Sequence, residues 1–435
     1  MKSNAVRLLL SILLVLGLAG SGISAEAFEL AVDVSGQGTV TPPAGTQSCE
    51  PGAVVRLTAT PAPGWEFRYW LGDVSDPHAS ETQISMDSAK SVTAVFYSPA
   101  ESILIAVTDE SGSPVPGVYL GLTDGSGSLE TTDQGIAVLN THASSTLIAP
   151  FLAGHTLQPQ GAIAQKGDEL SFVAYPEPPA RLIYFDLTFN PVVFSNEDQL
   201  NPFASPRIRE AMNRLLDREY MAEHIVAQVT GEPASPSLTM IPPVAYEYEF
   251  MSDVIAELEK LYSCDKQAAQ EVIAEEMRAL GAEWEDEKWF YRGKEVVLSF
   301  VIRTEAERRG LGEYIADELE AIGFTVDRIY MGAQEISADW QWRDPREGSW
   351  HLYTLAWEGE VRALGSPLLV LNYTPLAFSE VPLWRSYDPD PELLDAAIKL
   401  NSASFDSVEE RKEVFRRGLE LGLKYSVRIG LVSQP

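Results

Sequence analysis

Four side chains near position 350 offer the chemistry of non-covalent ligand capture. Trp350, Tyr353 and Trp357 follow one another at spacings of three and four, and His351 lies among them. Large amphipathic rings suit ligand pockets because they combine apolar area with a polar edge. If the segment is a strand, alternation instead places His351, Tyr353 and Leu355 on one face. The sequence therefore leaves both a cleft-facing role and a core role open for these residues.

Covalent and metal chemistry find little support in the sequence. It contains no nucleophile elbow, no zinc-protease histidine pair, no phosphate-binding loop and no dinucleotide fingerprint. The five histidines have no paired metal-ligand spacing, and Cys49 and Cys264 are too far apart in the chain to argue for a disulfide. We expect no enzyme, no metal and no cofactor. Because Asp and Glu are abundant, a hydrolase that uses paired acids stays an open alternative.

The charge of the chain excludes several classes of partner. Its 435 residues hold 32 Lys and Arg against 63 Asp and Glu, a net charge of −31. Nucleic acid and anionic membrane surfaces are bound by basic surfaces, which release counterions. We therefore expect no nucleic-acid partner. The length predicts two or three domains.

The first 27 residues have the pattern of a secretory signal peptide. Lys2 and Arg7 precede an apolar run from Leu8 to Leu18, and a small-residue cleavage site ends at Ala27. The apolar run is too short to span a bilayer. We expect an exported protein, either periplasmic or extracellular and associated with the cell surface.

Residues 28–98 are typical of a small all-β module. Short alternating segments are separated by Gly and Pro, as in Gly36-Gln37-Gly38 and Pro61-Ala62-Pro63-Gly64. The order of Gly38-Thr39-Val40, Gly64-Trp65, Trp70 and the closing run Val92 to Phe96 resembles the bacterial surface repeat related to the internalin B repeat. Trp65, Phe67 and Trp70 could form a sugar-stacking platform, but in so small a module we expect them in the core.

Residues 99–179 indicate a second β module. An apolar strand, a polar turn and Pro114-Val115-Pro116-Gly117 precede another apolar strand, an order that resembles bacterial immunoglobulin-like modules of the carboxypeptidase-regulatory type. Acidic turns at Asp109, Glu110, Asp124 and Asp133 offer oxygen ligands for calcium, but they lack the spacing of a calcium loop. We interpret them as solvated turns. Pro176-Glu177-Pro178-Pro179 closes the module as a stiff linker.

Residues 180–435 introduce long helical periods and predict an α/β domain. Ser205-Pro206 is a helix start, and Thr304 and Ser407 are each followed three positions later by glutamate, as in a capping box. Gly281 and Gly323 stand where helices should end. A strand from Val296 to Ile302, an amphipathic helix, and a strand from Phe324 to Tyr330 should place two parallel strands in one sheet.

This region resembles the extracellular solute-binding proteins of family 5, the receptors of oligopeptide, dipeptide and nickel ABC importers. The resemblance starts at "NPFASPRIREAMNRLLDREYM", from Asn201 to Met221, and continues through "TEAERRGLGEYIADELEAIG" and the aromatic "WHLYTLAW". It implies two small all-β modules followed by an α/β lobe of a periplasmic-binding-protein-like, type II fold. Most of the family's first lobe, which would supply the opposite wall of the cleft, has no counterpart in this order.

The resemblance also implies a role for Glu360. In peptide-binding members an acidic residue three positions after a Gly-Trp or similar pair can hold the amino group of the ligand, and Glu360 follows Trp357 at that distance. Trp350, His351, Tyr353, Trp357 and Glu360 are thus the predicted ligand-binding residues. A solvated loop glutamate remains an equal alternative in so acidic a chain.

The function implied by the resemblance is that of the binding component of an ABC importer. It would capture an oligopeptide or similar small solute non-covalently and deliver it to a membrane permease, and a partner chain could supply the missing lobe. The alternative is a surface adhesion or interaction protein whose β modules bind while the lobe is vestigial. The identity of the solute lies beyond the sequence.

Overall fold

The computed structural model describes residues 27–177, 181–241, 246–333, 335, 342–360, 373–425 and 427–434. The predicted signal peptide, apart from Ala27, and Pro178-Pro179 of the predicted linker lie outside these residues. The chain divides into two compact units, one ending at Ser98 and one beginning at Pro99. Each unit has its own sheets and its own core.

The first unit is built only from β-strands among its described residues. One sheet has the order β3-β1-β7-β5 and the other has the order β2-β4-β6. Trp70 is 2% exposed, and the partly buried Trp65 and Phe67 pack against the same core. The three aromatic side chains therefore serve as core, as expected. The strands are β1 (Phe28–Ser35), β2 (Gly38–Thr41), β3 (Gly45–Cys49), β4 (Val54–Pro61), β5 (Glu66–Leu71), β6 (Glu81–Ser85) and β7 (Lys90–Tyr97).

The second unit begins with another β module. Its two four-stranded sheets, ordered β10-β9-β12-β14 and β11-β8-β15-β13, share one core that includes Ile105, Leu120, Ile148 and Phe172. This arrangement agrees with a small β module, while the immunoglobulin-like family remains a prediction. The strands are β8 (Ile103–Asp109), β9 (Tyr119–Leu122), β10 (Ser128–Glu130), β11 (Ile136–Leu139), β12 (Thr146–Phe151), β13 (Thr156–Gln158), β14 (Ala162–Ala164) and β15 (Glu169–Tyr175).

The rest of the second unit, from residue 181, is an α/β lobe around a six-stranded mixed sheet of order β17-β24-β16-β23-β21-β22. The strands are β16 (Arg181–Phe189), β17 (Ser235–Pro236), β21 (Val297–Arg303), β22 (Thr325–Met331), β23 (Leu352–Glu360) and β24 (Arg428–Gln434), and a separate small sheet holds β18 (Ala282–Glu285), β19 (Lys288–Tyr291) and β20 (Lys294–Glu295). The helices are α1 (Pro206–Leu215), α2 (Arg218–Tyr220), α3 (Ala227–Thr230), α4 (Tyr246–Phe250), α5 (Ser252–Leu261), α6 (Lys266–Ala279), α7 (Ala306–Ala321), α8 (Pro382–Ser386), α9 (Pro391–Ser402) and α10 (Val408–Tyr425), with a π-helical segment at Met221–Val226.

The predicted strand-helix-strand unit is confirmed. Strands β21 and β22 pair in parallel, and α7 connects them. Each strand begins one residue later than expected. The apolar face of α7 buries Leu311, Ile315 and Leu319 against the sheet.

The helix boundaries follow local signals, with one exception. Ser205 precedes α1, and the Ser407 hydroxyl accepts a hydrogen bond from the Glu410 N–H at the start of α10. Gly281 and Gly323 follow α6 and α7 with positive φ angles of 87° and 90°. The predicted start at Thr304 is wrong, since α7 begins at Ala306. The N–H of Thr304 donates to the carbonyl oxygen of Met331 in β22, which ties the residue after β21 to the neighbouring strand.

The large sheet separates two apolar layers. One face packs against α1, α6 and α7 through a core that includes Phe185, Leu187, Phe300 and Leu352. The opposite face carries a smaller cluster around Tyr353 and α8. Strand alternation produces both layers, because neighbouring residues point to opposite faces. Every helix in the described part of the chain is too short or too polar to cross a bilayer.

Candidate functional site

Strand β23 and the residues just before it carry the five predicted ligand-binding residues. Trp350, His351 and Tyr353 are at most 2% exposed, whereas Trp357 is 37% exposed. Glu360 pairs through its backbone with Arg181 at the end of β23, and its side chain lies outside the described part of the structure. Of the four described side chains, Trp357 is therefore the one with substantial surface open to a solute.

His351 acts as a structural connection. Its Nδ1 accepts a hydrogen bond of 3.0 Å from the Ser299 N–H of β21, and its Nε2 lies 3.3 Å from the carbonyl oxygen of Leu200. This pairing requires the neutral ring with its proton on Nε2. Burial lowers the pKa of His351 to about 4, so that the ring stays neutral at physiological pH. The Phe194 ring packs edge-on against it at 4.9 Å.

Two buried asparagines, which the sequence motifs did not indicate, also hold the segment before β23. The Asn190 amide donates to the carbonyl oxygens of Pro345 and Trp350, at 2.9 and 3.0 Å. The Asn201 amide donates to the carbonyl oxygens of Asn190 and Val192, both at 2.8 Å. Buried backbone carbonyls need such partners. The conformation of the segment before β23 is thus fixed by side-chain amides.

Tyr353 is tied to the neighbouring strand. Its hydroxyl oxygen accepts a hydrogen bond of 3.3 Å from the Arg303 guanidinium. Arg303 also pairs with Glu305, with Nε 3.1 Å from the carboxylate. Burial raises the pKa of the Tyr353 hydroxyl. The phenol is therefore a neutral hydrogen-bonding group within the fold.

Trp357 is held in place by a buried carboxylate and a buried arginine. Its indole N–H donates to Asp186 Oδ2 at 2.9 Å, and the Thr188 hydroxyl donates to Asp186 Oδ1 at 3.1 Å. The Arg428 guanidinium lies 5.0 Å from the centroid of the Trp357 ring and 5.0 Å from that of Trp384, a cation–π sandwich.

The electrostatics of this cluster are those of a desolvated pair of opposite charges. Asp186 and Arg428 are 1% and 2% exposed. Burial raises the pKa of Asp186, and the positive charge of Arg428 works in the opposite direction. Burial also lowers the pKa of Arg428. Both groups already interact with the fold, so the cluster can orient the Trp357 indole rather than perform acid–base chemistry on a solute.

The described residues offer little else that could hold a metal or form a covalent bond. They contain no group of three or more His, Cys, Asp or Glu placed to bind a metal ion. Cys49 is partly buried and Cys264 is exposed, and both thiols are free. The acidic turn at Asp109 uses its carboxylate to accept hydrogen bonds from Ser111 and Ser113.

Comparison with protein families supplies the observation that decides the family. Residues 139–368, more than half of the chain, match the model described as the bacterial extracellular solute-binding proteins, family 5 middle domain. The chain belongs to this solute-binding family. Residues 28–99 match the divergent InlB B-repeat domain. The chain thus carries a surface-repeat module ahead of its family 5 region, as the sequence resemblance implied.

Three solved structures are among those similar to this family 5 chain. NikZ from Campylobacter jejuni, solved with Ni(L-His), is 16% identical, with 58% of this chain and 46% of that chain covered and a TM-score of 0.41. AppA from Bacillus subtilis, solved with a nonapeptide, is 14% identical, with 59% and 47% covered and a TM-score of 0.41. A periplasmic oligopeptide-binding protein from Thermotoga maritima is 16% identical, with 66% and 58% covered and a TM-score of 0.46. A search of curated protein sequences finds no match.

The matches to solved structures cover only part of each chain. This chain spans about half the length of the first two solved structures. Their TM-scores are below 0.5, so the family assignment rests on the sequence match alone. The family match begins at residue 139, within the second β module.

Proposed function

We propose that this protein is the exported binding component of an ABC importer and captures peptides or a similar small solute without covalent chemistry. The observation that carries the proposal is the family match over residues 139–368. The predicted signal peptide fits a periplasmic or cell-surface location. A membrane permease is the proposed recipient of the solute, and a partner chain could supply a second wall of the cleft.

The proposed contact surface is the outer end of β23. Trp357 offers the exposed part of its indole, while Asp186 and Arg428 hold the ring in one orientation. A fixed aromatic surface loses little conformational entropy when a solute packs on it. Glu360, the last residue of β23, is separately proposed as the partner of a ligand ammonium group. Trp350, His351 and Tyr353 support this surface from within the fold in the present conformation.

A thermal unfolding experiment tests this proposal. Mature protein, residues 28–435, is heated with pools of oligopeptides, and with glycans and nickel for comparison. A ligand at a hundred times its dissociation constant should stabilise the folded state by about 2.7 kcal/mol, which moves the unfolding midpoint by several degrees. We expect peptides to raise the midpoint of the wild-type chain.

Two matched variants locate the contact. Glu360→Gln removes the proposed carboxylate, and Glu358→Gln removes a neighbouring exposed one from the same strand. We expect Glu360→Gln to lose most of the peptide-induced shift and Glu358→Gln to keep it. Equal responses from both variants would contradict amine recognition by Glu360. No shift with any peptide pool would contradict peptide capture by this chain alone.

A second candidate function is surface interaction through the β modules. Residues 28–99 match their own family model, and the first compact unit contains a complete core. In this alternative the lobe no longer takes part in transport. Binding to a surface target that survives deletion of residues 180–435 would favour this function.

A further inference from the structure

The second β module is joined to the lobe at the turn between α9 and α10. The Gly125 N–H donates to the carbonyl oxygen of Ala403 at 2.7 Å, and the Phe405 N–H donates to the carbonyl oxygen of Thr123 at 3.1 Å. Asp124 and Ser404 form an antiparallel β-bridge between these bonds. The two parts of the chain are thus connected by backbone pairing across 280 positions of sequence.

The module also caps the longest described helix of the lobe. The first N–H groups of a helix have no partner within it and need an external acceptor. The Ser145 hydroxyl of the module accepts a hydrogen bond of 3.0 Å from the N–H of Val408, the first residue of α10. The Ser144 N–H donates to the carbonyl oxygen of Asp406 at 2.8 Å. Ser145 and Val408 are 7% and 2% exposed, so water has little access to this bond.

Two glycines permit the close approach. A Cβ atom at Gly125 would lie 2.6 Å from Ser404 Oγ, and a Cβ atom at Gly161 would lie 2.6 Å from the Tyr246 ring of α4. The module therefore touches the lobe at two separate places. Phe405, at the first of them, is 3% exposed and belongs to the core of the lobe.

We infer that the second β module is a fixed structural part of the solute-binding lobe, which caps α10, and that it does not open and close over the solute as a lid. The hydrogen bonds described above, of which the Ser145–Val408 bond is buried, would all have to break in such a motion. The family match agrees with this, because it runs without a break from Ser144, Ser145 and Gly161 of the module into the lobe, as far as residue 368.

Hydrogen–deuterium exchange on the full mature chain tests the inference. Ser145→Ala removes the acceptor of the Val408 N–H, and Ser128→Ala removes an exposed hydroxyl from β10 of the same module. We expect amides of residues 403–410 to exchange about fivefold faster in Ser145→Ala, the factor typical of a lost helix cap. Ser128→Ala should exchange at the wild-type rate in the same segment.

A larger side chain at the Gly161–Tyr246 contact provides an independent test by amide exchange. Gly161→Val places a branched side chain against the Tyr246 ring, and Gln160→Val adds the same side chain at the adjacent exposed position. We expect only Gly161→Val to raise exchange in α4 and at residues 403–410. Wild-type exchange in both segments for Ser145→Ala and Gly161→Val would overturn the inference. So would peptide-dependent exposure of the module's contact residues, which a moving lid requires.

Discussion

At the scale of single residues, the predicted site separates into one accessible ring and three supporting side chains. Trp357 keeps 37% of its surface exposed, while His351 and Tyr353 use their polar atoms within the fold. Sequence spacing indicated that these residues lie in one short segment. It could not show that their partners are Ser299 and Arg303, because those contacts cross between strands about 50 positions apart.

Asp186 also has partners on distant strands that the sequence alone could not reveal. An acidic residue in the middle of the apolar strand Leu182 to Phe189 is a signal that a closer reading of the sequence could have used. Its partners Trp357 and Arg428 lie on two other strands that flank β16 in the sheet. Only the strand order reveals that the three side chains meet.

His351 should make the protein sensitive to acid. Its pKa is about 4 in the folded protein and near 6.5 when the ring is free in water, so the unfolded chain binds more protons between these values. The contribution of the neutral ring is complete above pH 6.5 and is lost as the pH falls towards 4, by about 3 kcal/mol in total. His351→Asn keeps an acceptor for the Ser299 N–H but cannot gain a proton in this range.

Urea unfolding between pH 4 and pH 7 measures this contribution. We expect the unfolding free energy of His351→Asn to fall less on acidification than that of the wild type. His224→Asn is the matched control, because it removes an exposed imidazole from the same lobe. Identical pH profiles for His351→Asn and the wild type would show that the buried ring does not titrate as argued.

At the scale of elements, local signals predicted what local interactions determine. The β21-α7-β22 unit follows from apolar periodicity within a short segment, and the ends of α6 and α7 follow from Gly281 and Gly323. The start of α7 differed from the prediction because Thr304 bonds to β22, a contact that no local pattern contains. The order of the six strands likewise depends on pairings between distant segments.

Gly323 must be glycine for two reasons, its positive φ angle and its close approach to Trp284, and two glycine variants can separate them. Its φ of 90° disfavours any side chain, and a Cβ atom there would lie 2.2 Å from the Trp284 ring. Gly293 has a φ of 75° with no atom within 4 Å of such a Cβ. Gly293→Ala should therefore cost about 1 kcal/mol from backbone strain. Gly323→Ala should cost roughly 1 to 3 kcal/mol more, because Trp284 must move.

Chemical denaturation of the two variants gives both values, and Trp284 fluorescence reports on the contact. Equal destabilisation by the two substitutions would mean that the indole moves away without cost. In that case the contact between the β18-β19 hairpin and the end of α7 would be looser than its geometry indicates.

At the scale of the whole molecule, the chain combines a surface-repeat unit with a solute-binding unit. Each has its own sheets and its own core, and each matches a different family model. The net charge of −31 predicts partners other than nucleic acid, but charge cannot identify a solute. Deletion of residues 28–98 can distinguish the two proposed functions.

If the lobe captures the solute, the protein lacking residues 28–98 should keep the peptide-induced rise in unfolding midpoint found for residues 28–435. The physical reason is that Trp357, Asp186 and Arg428 lie in the second unit, which has its own sheets and core. The measurement is the same thermal scan with the same peptide pools, and its control is the unfolding midpoint without ligand. Loss of the peptide response from a chain that still unfolds cooperatively would transfer the binding site to the repeat unit, and the surface-interaction function would then replace transport as the better account of the molecule.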